Sequence, residues 1–152
     1  MRVHVVREPE VEVVRELFRE YAASLAFPLD FQGFDRELAE LPGEYAPPRG
    51  ALLVAAVDGT AAGCVGLRPL DEETAELKRL YVRPGYRGLG LGRRLTEEIL
   101  GFARADGYRR VRLDTVPGMD AAQALYRELG FREIPAYRPN PIAGTAYLEL
   151  EL

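Results

Sequence analysis

Apolar positions recur along this chain in two rhythms, and turn residues mark each change of rhythm. Residues 2–6 alternate as a short strand should. After Pro9, which suits a helix start, Val11, Val14, Leu17, Phe18, Tyr21 and Leu25 follow at helical spacing. Residues 27–34 read as a loop around Pro28 and Gly33. Phe34, Leu38 and Leu41 predict a short second helix, stopped by Pro42 and Gly43. Residues 51–57 and 61–70 read as strands joined by a hairpin turn at Asp58-Gly59, and 75–82 as a third strand. Leu91, Leu95, Ile99 and Phe102 form one helical stripe that ends near Gly107. Residues 110–116 predict a strand broken at Pro117-Gly118, and 121–129 a helix stopped by Gly130. The final strands fall at 131–136 and 145–152. In the second of these, Leu148, Leu150 and Leu152 alternate with Tyr147, Glu149 and Glu151, as a half-buried strand requires. The order is strand, two helices, three strands, helix, strand, helix, two strands. It predicts a mixed α+β layer architecture, not the strict alternation of a doubly wound nucleotide fold.

The chain has 152 residues, which predicts one domain spanning 1–152, and 47% hydrophobic residues can fill its core. Its net charge of -4 argues against a general nucleic-acid binder. No apolar run has the length of a membrane span, and the first residues lack a signal-peptide core, so a cytoplasmic site is expected. Cys64 has no second cysteine to pair with and lies in an apolar run, as buried filler. With His4 as the single histidine, a His-rich metal site is excluded and no metal is expected.

One segment departs from the acidic average. Between Lys78 and Thr96 there are six basic residues and no acidic one. Inside it, Arg87-Gly88-Leu89-Gly90-Leu91-Gly92-Arg93 joins a strand to a helix. First-turn amides lack partners and the helix dipole is positive there, so this loop suits a phosphate group. It is neither a Walker loop, which needs Gly-Lys-Ser/Thr, nor a dinucleotide fingerprint, which would demand glycine where Arg93 stands. The plain alternative is a tight strand-to-helix turn.

Arg87-x-x-Gly90-x-Gly92, after Leu80-Tyr81-Val82, resembles the acyl-coenzyme A pyrophosphate motif of the GNAT superfamily of N-acetyltransferases. Residues 124–131, with Tyr126 and Gly130-Phe131, resemble that family's second signature. The two lie at the family's usual separation, and the element order matches over the whole chain. The resemblance implies a mostly antiparallel central sheet of about seven strands flanked by about four helices, with acetyl-CoA as co-substrate. One departure stands out: where many members carry an asparagine before the motif tyrosine, this chain has Met119, and Asp114 and Thr115 are candidates to replace part of its role.

By matching position, the resemblance assigns the pyrophosphate to the amides of Arg87, Gly88, Leu89, Gly90, Leu91, Gly92 and Arg93. It pairs the pantetheine arm with Leu80, Tyr81 and Val82, where a backbone N–H would hold the oxyanion. It makes Tyr126 the donor to the leaving thiolate, against the alternative of a core tyrosine. Glu76 is the base candidate, against an ion pair with Arg79 or Arg68, and Glu72 and Glu73 are weaker ones. The acceptor region draws on Tyr21, Phe27, Phe31, Gln32, Tyr45, Tyr137, Arg138 and Asn140. Those aromatics suit a small molecule with an apolar part, or else they only pack the helical cap. Arg68 or Arg138 could pair with an acceptor carboxylate. The expected partner is therefore a small-molecule amine or amino-acid-like acceptor, attacked directly in a ternary complex, with no nucleic acid and no membrane. A homodimer is compatible with this reading. The alternatives are a catalytically silent acyl-CoA-binding regulatory module and a protein-interaction domain.

Overall fold

The computed structural model describes residues 1–25, 29 and 33–152. A seven-stranded sheet runs through it in the order β1-β2-β3-β4-β5-β7-β6. The strands are β1 (Val3–Val6), β2 (Ala51–Val57), β3 (Thr60–Pro69), β4 (Thr74–Val82), β5 (Arg110–Thr115), β6 (Arg132–Ile134) and β7 (Ala146–Glu151). The helices are α1 (Val11–Ser24), α2 (Phe34–Glu40), α3 (Leu91–Ala105) and α4 (Asp120–Glu128). Every strand pairing is antiparallel except β4 with β5. The mixed α+β architecture expected from the sequence is the one observed. β6 is shorter than the 131–136 run suggested, and short 3₁₀ turns at Gly43–Tyr45 and Pro84–Tyr86 were not legible in the apolar rhythm. Among the described residues, no helix is long and apolar enough to cross a membrane.

The helices cover both faces of the sheet. Val14, Leu17 and Phe18 of α1 and Phe34 and Leu38 of α2 pack with Leu52, Val54 and Cys64 on one side. On the other, Leu91, Leu95, Ile99 and Ala103 of α3 pack with Leu53, Val65, Leu67 and Leu113. This explains why 51–57 reads as an unbroken apolar run: all seven residues of β2 are buried, as in a strand covered from both faces. Burying each Leu or Ile of the α3 stripe contributes about 1.5–3 kcal/mol. A type I′-like turn with positive φ at Asp58 and Gly59 sets the β2–β3 register.

Two irregularities shape the middle of the sheet. The parallel β4–β5 ladder spans Thr74↔Arg110, Ala75↔Val111 and Glu76↔Arg112, and the two strands then part. Beyond that point β4 keeps its ladder to β3, and β5 keeps its ladder to β7. A wedge opens between them. Just past its apex, β4 carries one residue more than β3 between Gly66↔Lys78 and Cys64↔Tyr81, which is a bulge. Arg79 sits there with φ of 63°, a left-handed conformation costing a non-glycine residue about 1–3 kcal/mol. Its guanidinium is gripped by Glu37 of α2, Nε to Oε2 at 3.0 Å and Nη2 to Oε1 at 2.9 Å, with the ring of Phe34 5.2 Å away. Burial alone would raise the Glu37 carboxyl, but the hydrogen bonds and charge of Arg79 bring it below its ordinary range. The bulge is thus pinned to α2.

Candidate active site

β4 leaves the sheet at Val82, turns through Pro84–Tyr86 and enters the glycine loop. Gly88 and Gly90 have φ of 82° and 77°, which an L side chain adopts only with strain. A Cβ added to either would meet nothing within 4 Å, so both face open space and not protein atoms. Gly90 is also the N-cap of α3, and no side chain caps that helix. Among the described residues, the amides of residues 88–93 donate to no carbonyl or side chain. Six N–H groups without acceptors among the described residues, at the positive end of a 15-residue helix, are what an anion would need there.

These amides stand at the head of a cleft of 420 Å³. Leu80, Tyr81 and Val82 line one wall, and Tyr21 and Ser24 of α1 with the start of α4 at Asp120, Ala121 and Ala122 line others. The floor is the edge of β4 that β5 does not cover, so strand backbone faces the cleft. Tyr86, Arg87, Gly88, Gly90, Leu91 and Gly92 complete it. Two residues of the loop motif behave differently. Leu89 is 42% exposed and stands outside the lining. The Arg93 guanidinium turns away to Glu128 and Glu97. Any part these two play runs through their backbone.

The cleft continues into a smaller cavity of 40 Å³ inside the wedge, and Tyr21, Leu80, Met119 and Ala122 border both. Lys78, Arg79, Asp114, Thr115 and Tyr126 line this inner space. Tyr126 projects there from α4 while its ring packs at 5.5 Å on Phe131. Burial, with the Tyr21 phenol and the Asp114 carboxylate adding to it, pushes the Tyr126 phenol well above its usual range. It therefore keeps its proton at neutral pH. Burial also lowers the Lys78 ammonium to about 8, helped by the like charge of Arg79. Met119 is the N-cap of α4, and no side chain caps the helix there. Gln123 Nε2 donates to Thr115 Oγ1 at 3.3 Å and to the Val116 carbonyl at 3.2 Å, tying the helix to the end of β5.

Glu76 lies outside both spaces, and its side chain is fully buried. Its Oε1 accepts from Arg68 Nε at 2.9 Å, and its Oε2 accepts from the Tyr137 hydroxyl at 2.6 Å and from Arg138. Lys78 Nζ stands 4.0 Å from Oε1. The ion pair with Arg68, one of the two readings open from sequence, is present. The same carboxylate holds Arg68 and Arg138, the two arginines that sequence reasoning offered to an acceptor. Tyr45 packs 5.8 Å from Phe18 in the helical cap, away from both spaces. Phe27, Phe31 and Gln32 lie outside the described residues. Asp114, offered from sequence beside Thr115, and Lys78, which was not offered, look like ordinary strand charges until the wedge places them on one cavity.

The profile of the acetyltransferase (GNAT) family matches residues 12–131. The chain belongs to this family. An uncharacterized N-acetyltransferase of Schizosaccharomyces pombe is 39% identical over 153 residues, covering 99% of this chain and 94% of that one. The human N-acetylaspartate synthetase is 36% identical over 102 residues, 66% of this chain and 34% of that protein. Among solved structures, an acetyltransferase of Streptococcus agalactiae superposes with a TM-score of 0.80 at 22% identity, covering 99% and 98% of the two chains. The PaiA N-acetyltransferase of Thermoplasma acidophilum, in complex with coenzyme A, gives 0.77 at 19% identity over the whole of both. As a GNAT member, the chain carries the family's acetyltransferase fold with its sheet open along β4.

Proposed function

We propose that this GNAT protein moves an acetyl group from acetyl-CoA to the primary amine of a small, amino-acid-like acceptor by direct attack. The observation that carries the reading is the row of acceptorless amides at residues 88–93, opening onto a cleft that follows the bare edge of β4 to Tyr126. The diphosphate of the donor sits on those amides, with Arg87 lining the same mouth. The pantetheine amides pair with β4 at Leu80–Val82 as an added strand, which brings the thioester into the wedge. The N-acetylaspartate synthetases among the relatives support an amine that sits beside a carboxylate.

The amine nitrogen attacks the thioester carbon. The C–N bond forms, the C–S bond breaks, and the amine loses its extra proton. A strand N–H near Leu80 holds the oxyanion. Tyr126 donates a hydrogen bond to the departing sulfur. Its raised pKa makes complete transfer to a thiolate, whose conjugate acid lies near ~8.5, uphill. The phenol therefore stabilises the charge, and the proton released by the amine completes the thiol. Glu76 anchors the segment before β7 through Tyr137 and Arg138, and so shapes the acceptor side.

Two measurements test this. Calorimetry should show acetyl-CoA binding, and thiol release should then depend on added amine. Release that ignores the amine removes the transferase reading. For Glu76→Gln, the anchor role predicts a stability loss of about 3–5 kcal/mol in denaturant, as expected on breaking a buried ion network. It also predicts a pH–rate profile of unchanged shape. Recovery of rate at alkaline pH would instead restore Glu76 as the base.

A further inference from the structure

A carboxylate on the wall of the inner cavity, that of Asp114, has an oxygen without a partner. Its Oδ2 is buried and accepts no hydrogen bond among the described residues. A carboxylate oxygen removed from water without a donor is costly, and a bound N–H donor would relieve it. The residue is nonetheless held in place. Its backbone stands opposite Tyr147 in the β5–β7 ladder, and Gln123 ties down the next two residues, Thr115 and Val116. The titratable and charged groups that face it from other elements are Tyr21 of α1, Lys78 and Arg79 of β4, Tyr126 of α4, Tyr137, and Tyr147 of β7. The Tyr137 hydroxyl donates to Glu76 and the Tyr147 hydroxyl to the Arg138 carbonyl. Lys78 Nζ stands 4.0 Å from Glu76 Oε1, and Arg79 is held by Glu37. The phenols of Tyr21 and Tyr126 are raised, chiefly by burial, and keep their protons at neutral pH.

Resting on the acetyltransferase reading above, we infer that Asp114 is the catalytic base: its carboxylate takes the proton that an acceptor ammonium must lose before the nitrogen can attack. An alkyl ammonium has a pKa near ~10.4, so little free amine exists at neutral pH. Asp114 Oδ2 accepts the ammonium N–H as a hydrogen bond and then takes the proton, which frees the nitrogen lone pair. The C–N bond forms, the C–S bond breaks, and a second nitrogen proton passes to the sulfur beside Tyr126. The products are the amide, the thiol and a protonated Asp114, which returns its proton to water as the amide leaves. Passing a proton from ammonium to carboxylate turns two charges into two neutral groups. A space walled by Leu25, Leu29, Leu77 and Val116 favours that direction. Its 40 Å³ holds about three waters, which is room for an amino group and the carbon that bears it. Leu80 and Tyr126, proposed for the oxyanion and the departing sulfur, border the same cavity. Nitrogen, carbonyl and sulfur therefore meet at one place.

The test uses the intact protein, acetyl-CoA and the best acceptor from a panel of free amino acids and alkylamines, all mostly ammonium at neutral pH. Thiol release gives kcat/KM on the acidic side of Lys78, whose ammonium burial lowers to about 8. From about pH 6 to about pH 7.5, wild-type kcat/KM should stay within about threefold, whereas an enzyme that waits for free amine would gain about thirtyfold, roughly tenfold per pH unit. Asp114→Asn should bind acetyl-CoA as the wild type does and lose at least about a hundredfold in kcat at neutral pH. It should also acquire the steep rise with pH, because only free amine can then react. A wild-type rate that climbs steeply over this range overturns the inference and leaves the transferase intact. So does a folded Asp114→Asn protein with a flat profile. Protein that fails to bind acetyl-CoA overturns the transferase reading itself. The wild-type profile decides even if the variant does not fold.

Discussion

Gly90→Glu should lower acetyl-CoA affinity at least about a hundredfold. The substitution acts on the anion site in two ways. At φ of 77° any side chain strains the N-cap of α3 and disturbs the amides that follow. The new carboxylate would also enter the space proposed for the diphosphate, because nothing within 4 Å of a Cβ there would turn it aside. Two like charges about 5 Å apart repel by about 3 kcal/mol at an effective dielectric near 20, which is already about two powers of ten in binding. The absence of neighbours is also why the fold should survive, with circular dichroism and thermal melting as controls. Calorimetric titration with acetyl-CoA reads the effect. Affinity within a few-fold of wild type would mean that the loop is only a turn.

Tyr126→Phe should lower kcat about a hundredfold, the lower end of what a positioned proton or hydrogen-bond donor contributes. Acetyl-CoA affinity should change by less than about twofold, since the phenol acts only once charge reaches the sulfur. Phenylalanine keeps the ring on Phe131, so the packing of α4 is preserved. The pH dependence has a definite sign. Burial holds the wild-type phenol above its ordinary pKa, so the donor form persists through the neutral and mildly alkaline range. Rate should therefore not fall on the alkaline side through loss of this proton. A variant with full turnover on its best acceptor would return Tyr126 to the hydrophobic core.

The apolar rhythm was enough for most of the architecture, because burial sets the rhythm. β2 is covered on both faces and reads as a continuous run. α3 is covered on one, and its Leu91, Leu95 and Ile99 recur at helical spacing. The glycine loop was legible for a similar reason, since its function lies in the backbone and glycine is how a sequence specifies backbone. The limits show at Leu89 and Arg93, which the motif includes but whose side chains point elsewhere. Spacing marks a residue without giving its direction. The Glu76 cluster was still less accessible: its partners Tyr137 and Arg138 come from more than sixty residues away, and local sequence carries no trace of such a meeting. The bulge at Arg79 hides in the same way, because an arginine in a left-handed conformation is paid for by α2 and announced by nothing nearby.

The wedge between β4 and β5 also bears on how the empty protein behaves in a crowded solution. A strand edge with unsatisfied amides and carbonyls is adhesive, and proteins usually bury, shorten or charge such edges. Here the open margin is in the middle of the sheet, where it cannot be trimmed without destroying the groove. The donor molecule itself, lying along β4, would cap it. Saturation with acetyl-CoA would then do more than prepare for turnover: it would close a stretch of strand margin that a foreign strand could otherwise join.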